Sequence, residues 1–172
     1  MVASMDDRFW AAPVWVGSGM LSGGRYDWQQ GLRFIAKGIG NAAFRPSMSG
    51  YEGYREAAEY LVRTGAESRV IIGHSNFNYF ATRVAEIVKP HGIDIYICCI
   101  DRTMKPCPAL GSNVPYALDL WAGPPMGRLQ EGPDFVGELT KMNFVDETHI
   151  SIIDNDYVRS LAIGFGKKWK RK

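Results

Sequence analysis

Cysteine and histidine are scarce in this 172-residue chain, with three of each. The cysteines show no C-x-x-C or Cys/His spacing, so the sequence predicts no metal site. Cys98 and Cys99 are neighbours in an apolar run, and neighbours on a strand face opposite ways and do not bridge. Cys107 lies between prolines. The set predicts reduced thiols and a cytoplasmic setting. The opening MVASMDDRFW lacks the basic and apolar regions of a signal peptide. No uninterrupted apolar run is long enough to cross a membrane. Internal repeats are missing as well. Net charge is only +2, which predicts no specific nucleic-acid partner. The one uneven feature is the basic run 167–172 (KKWKRK), expected to be a flexible, solvated tail able to touch an anionic surface weakly.

What is present is an ordinary globular composition, 46% apolar and 22% charged, in a length that suits one domain over 1–172. Apolar runs at 12–16, 42–44, 69–74, 94–100 and 114–121 predict five strands. Helical spacing appears over 28–36, 51–64, 76–88 and 156–165. The segment 123–147, rich in glycine and proline, predicts a long irregular functional loop. Apolar strands that alternate with helices describe a parallel sheet covered on both faces. The expected fold is therefore α/β: a three-layer α/β/α sandwich with a mostly parallel sheet of about five strands and four helices. Chemistry in such sheets gathers at the carboxyl ends of the strands.

One such end reads Val70 to Asn78, VIIGHSNFN, an apolar run closing on Gly-His-Ser before a helix. A nucleophilic serine at a strand-to-helix turn is written G-x-S-x-G, and here Phe77 stands in place of the last glycine. Serine needs a base, and the base needs an orienting group. His74 adjoins Ser75 and is expected to be aimed away by the sharp turn, while His91 falls at the far end of a helix. His149, just ahead of the last helix, is left as the base. Asp101 follows the strand 94–100 and is the candidate acid, with Asp119 the alternative. The order Ser75, Asp101, His149 matches Ser…Asp…His. The backbone N–H of Asn76 is one candidate oxyanion donor, and Ser18 or Met20 in the glycine loop 17–24 is the second. Phe77, Phe80, Ala81, Val84 and Val88 share one helix stripe, so Phe77 is expected in the core, with any crowding falling on the strand–helix crossing.

The glycine loop also has a nucleotide-binding reading, the weakest of three. The segment 37–50 holds no Asp or Glu for a ribose, and Arg25-Tyr26 stand where a P-loop requires Lys-Ser/Thr.

Together these pieces resemble the α/β-hydrolase superfamily, and within it the cutinase-sized, lipase-like hydrolases of bacteria and their phages. The matching segments are the loop 17–24, Ile72-Gly73-His74-Ser75, Ile100-Asp101, the run 113–120 (NVPYALDL) and Thr148-His149-Ile150. The resemblance implies a serine esterase or lipase-type activity on a small ester or acyl substrate, without a cofactor. It also implies Ser75, Asp101 and His149 as the triad. Two departures stand out: Phe77 replaces a glycine, and Asp101 comes one strand earlier than the commonest acid position, which keeps Asp119 open. A catalytically silent module of the same fold, binding a ligand or partner, is the competing expectation. Trp15, Met20, Leu21, Tyr26, Met126, Leu129, Phe135 and Val136 are candidate contacts for an apolar acyl or aromatic group.

Overall fold

The computed structural model describes residues 5–19, 29–45, 53–102, 106–124 and 128–170. Its strands are β1 (Val14–Ser18), β2 (Ala42–Arg45), β3 (Ser68–His74), β4 (Asp94–Ile100), β5 (Tyr116–Ala122) and β6 (Glu138–Phe144). They form one sheet in the order β2-β1-β3-β4-β5-β6, with every pairing parallel. The helices are α1 (Met5–Trp10), α2 (Gln29–Ile39), α3 (Tyr54–Thr64), α4 (Phe77–Val88) and α5 (Asp156–Trp169). This is the expected α/β sandwich, with six strands in place of five.

Side-chain alternation along each strand builds two cores. Val14, Val16, Val70, Ile72, Cys98 and Ile100 pack with Leu32 and Ile35 of α2 and Val158 and Ala162 of α5. Trp15, Ile71, Ile97 and Cys99 face the other way, onto Ala57 and Leu61 of α3 and Phe80 and Val84 of α4. Strands covered on both faces read as continuous apolar runs, which is why the inner ones were legible.

β6 corrects the expectation of an irregular insert over 123–147. It pairs along its whole length with β5, from Tyr116↔Glu138 to Ala122↔Phe144. As an edge strand it mixes polar and apolar residues, ELTKMNF, and no residue of it is fully buried. Its signal in the sequence is therefore weak, set between glycine- and proline-rich flanks.

The basic run expected as a flexible tail begins inside a helix. Residues 167–169 are the last turn of α5. The Trp169 ring stacks on Tyr96 at 4.5 Å, and Lys170 Nζ donates to the Ile39 carbonyl at 2.9 Å, at the end of α2. A lysine at a helix carboxyl end satisfies unpaired carbonyls and opposes the helix dipole. Among the described residues no helix is long and apolar enough to cross a membrane.

The strand order sets where a site can form. β1 has β2 on one side and β3 on the other. A chain that leaves β1 in one direction and returns on its other side opens a crevice between the carboxyl ends of β1 and β3. Ser18 and His74 are paired in register there.

Candidate active site

β3 ends at His74 and the chain turns sharply into α4. The turn residue is Ser75, at φ +60°. This left-handed conformation is uncommon for a residue with a Cβ and is held only where surrounding bonds enforce it. They do so here. Ser75 N–H is shared between the carbonyls of Ile100 and Asp101, each at 3.2 Å. Asn78, the second residue of α4, donates its side-chain amide to Ser75 O at 3.1 Å and Ile100 O at 3.3 Å. The Ser75 turn and the end of β4 are thus one hydrogen-bonded unit. Ser75 is 1% exposed, and its hydroxyl has no hydrogen-bond partner among the described residues.

Phe77 is fully buried and stacks on Phe80, ring centroids 4.6 Å apart, as the helix stripe predicts. The room it needs comes from glycines on the strands. A Cβ on Gly17 would lie 2.5 Å from the Phe77 ring, and one on Gly73 would lie 2.5 Å from Asn78 Oδ1. The glycine missing from position 77 is thus matched by glycines at adjacent register positions of β1 and β3, Gly17↔Gly73. Gly17→Ala is expected to destabilise the protein by about 1–3 kcal/mol through overpacking. Adding Phe77→Leu should recover part of that loss, measured by urea unfolding of both singles and the double. Strict additivity would mean that ring and strand do not share the space.

Gly19 brings the loop after β1 against the turn. Its N–H donates to His74 O at 3.2 Å, and its O accepts from Asn76 Nδ2 at 3.2 Å. A Cβ there would sit 2.5 Å from the Asn76 and Phe77 backbone, so only glycine fits. The main chains of Gly19 and Asn76 are therefore adjacent, with the Gly19 N–H itself taken up by His74 O. Ser18 is the last residue of β1, and its hydroxyl faces His74 Nδ1 at 3.2 Å, which occupies it. Met20, Leu21, Tyr26 and Met126 lie outside the described residues. Trp15 and Leu129 are core residues, a correction to their candidacy as substrate contacts, while Val136 is 83% exposed.

Asp101 follows β4 at φ +37°, a second strained position. Its N–H donates to Leu120 O at 2.6 Å. One carboxylate oxygen, Oδ1, accepts from Ala122 N–H at 2.8 Å, and the other, Oδ2, lies 2.5 Å from His149 Nδ1. Asp101 is thus clamped by β5 and turned toward His149. His149 sits in the turn between β6 and a short 3-10 helix (Ser151–Asp154). That turn is braced by Glu147, which accepts from Ser151 Oγ at 2.5 Å and from Asn155 Nδ2 at 2.7 Å. These two bonds, the Ser151 one first, hold the Glu147 carboxyl below its usual pKa.

Asp119 is engaged elsewhere. It is fully buried in β5, and one oxygen accepts from Leu129 N–H at 3.0 Å. Burial raises its pKa, opposed by that bond and by the Cys99 thiol. Cys98 and Cys99 are free and buried, one in each core, and burial pushes both thiols well up. A thiol so placed is a poor nucleophile. His91 lies in a 3-10 turn (Lys89–His91) ahead of β4, at the opposite edge of the sheet, as expected.

Three residues were missed in sequence. His74 is aimed away from the Ser75 hydroxyl, as expected, but the sequence did not show that its ring is fully buried against His149. Asn78 and Glu147 act through local braces, and an Asn or Glu next to a helix start has too many ordinary uses to mark it. The structure thus brings Asp101 and His149 together beside the turn that carries Ser75. No protein-family model and no curated protein matches the chain.

Proposed function

We propose that this protein is a serine hydrolase of the α/β-hydrolase type, cleaving a carboxylic ester or thioester through an acyl-enzyme intermediate. The observation that carries the reading is one of geometry. A serine is held at φ +60° on a strand-to-helix turn, and the hydrogen-bonded Asp101–His149 pair stands at the same sheet edge. Positive φ on a buried serine costs on the order of 1–3 kcal/mol and collects at functional sites. In the proposed mechanism His149 Nδ1–H donates to Asp101, which leaves Nε2 bare to take the proton of Ser75 Oγ. The alkoxide character developed on Oγ attacks the carbonyl carbon. The oxyanion is held by Asn76 N–H and the glycine loop. His149 then returns the proton to the departing alcohol or thiol, and water repeats the cycle on the acyl-serine.

A second reading has its own observation. Ser75 is almost wholly buried, and its hydroxyl makes no bond to His149. A silent binding module could keep this turn without using it. Fluorophosphonate treatment separates the two, with the adduct mapped by mass spectrometry. The hydrolase reading expects an adduct on Ser75 that is lost in His149→Ala. A folded protein that stays unlabelled favours the silent module.

A further inference from the structure

His74 is tightly engaged at this edge, and the mechanism above gives it no part. Its Nε2 lies 2.8 Å from the main-chain O of His149, and its Nδ1 lies 3.2 Å from Ser18 Oγ. Its ring stacks on the His149 ring, centroids 4.7 Å apart and planes at 29°. Burial, with the neighbouring His149 second, lowers its pKa to about 4, so the ring is neutral near pH 7.

A neutral imidazole has one N–H and one bare nitrogen. A carbonyl oxygen only accepts, so Nε2 must carry the proton and donate it to His149 O. Nδ1 is then bare and accepts from the Ser18 hydroxyl. One tautomer satisfies both bonds.

Asp101 by itself fixes only one ring atom of His149. A ring held at Nδ1 alone can still swing about that bond, and His149 belongs to a turn, not to a strand or helix. The contact from His74 adds a bond to the His149 main chain and a flat surface against its ring. We infer that His74 is a positioning residue: with Ser18 behind it, it fixes the backbone and ring plane of His149 so that Nε2 is aimed at Ser75. The inference rests on the serine-hydrolase reading, since it assigns His149 the task being served.

The test uses the full chain with His74→Gln, which keeps a donor for the carbonyl, and His74→Met, which fills the space without one. The first readout is the downfield proton on His149 Nδ1, assigned by its loss in Asp101→Asn. The second is the rate of Ser75 labelling by the fluorophosphonate. His74→Met is expected to broaden the proton away and slow labelling about 10²-fold, the effect of misplacing a catalytic group by about 1 Å. His74→Gln should restore most of both. A His74→Met protein that keeps the proton and the original labelling rate overturns the inference.

A third measurement needs no variant. Long-range proton–nitrogen spectra of the unmodified protein at pH 7 should show His74 protonated at Nε2 and bare at Nδ1. The opposite tautomer cannot bond His149 O and overturns the inference even if no variant folds. An unmodified protein that takes no label overturns the hydrolase reading and the catalytic meaning of the contact. The spectra separately uphold or overturn the contact itself.

Discussion

Asp101→Asn is expected to slow turnover of an activated ester such as p-nitrophenyl butyrate about 10⁴-fold, the cost of a wrong base tautomer in a Ser-His-Asp site. The geometry says why so conservative a change should matter. Asp101 Oδ1 already accepts from Ala122 N–H. An asparagine would keep its oxygen on that donor and turn its amide nitrogen toward His149 Nδ1. Nδ1 would then have to be bare, and the ring proton would move to Nε2. That is the atom which must take the serine proton, so the base would be lost with little change of shape. Asp119→Asn should leave turnover near its original value, because Asp119 bonds Leu129 and not His149. Steady-state kinetics of the two variants side by side checks the assignment. Equal losses, or a larger one at Asp119, would show that Asp101 is not the acid.

A pH-dependent loss of stability should trace to His74. Burial lowers its pKa from the ordinary 6.5 to about 4. As pH falls, the unfolded chain therefore binds a proton near 6.5 while the folded chain resists until about 4. Stability from this group is complete above about 6.5 and is lost as pH drops through that window. At about 1.4 kcal/mol per tenfold change in proton affinity, the loss is on the order of 3 kcal/mol. Asp101 and His149 face the same ring, and Asp119 titrates with the opposite sign because burial raises its pKa. The effect must therefore be read as a difference. Urea unfolding between pH 4 and 7 should show a steeper decline for the unmodified protein than for His74→Gln. Parallel curves would mean that His74 carries no such penalty.

Inner strands and long helices were legible because burial on two faces, or on one stripe, imposes a pattern that composition alone reveals. β3 is apolar from Val70 to Ile72 and β4 from Ile95 to Ile100, and α4 repeats Phe77, Phe80, Ala81 and Val84 at helical spacing. β6 was not legible because none of its residues is fully buried and its polar and apolar residues follow no clean alternation. At the site, Ser75 was marked by a local motif, and Asp101 and His149 by their places after a strand and before a helix. His74 has no such mark. Its role depends on Ser18 at 56 positions' distance and His149 at 75, which local sequence does not relate.

The order of apolar runs and turns determined the layered α/β fold, the edge where chemistry gathers and the three residues proposed for it. These follow from local patterns, since strand, helix and turn preferences act over a few residues. Only the packed structure decided how Phe77 is accommodated, which carboxylate holds His149, and that Ser75 is covered. Gly17 makes room for Phe77 across the β1–β3 pair, and Ala122 of β5 clamps Asp101 toward His149. Each outcome is settled by contacts between residues far apart in the chain. Whether two such groups meet depends on the register and order of the strands that carry them.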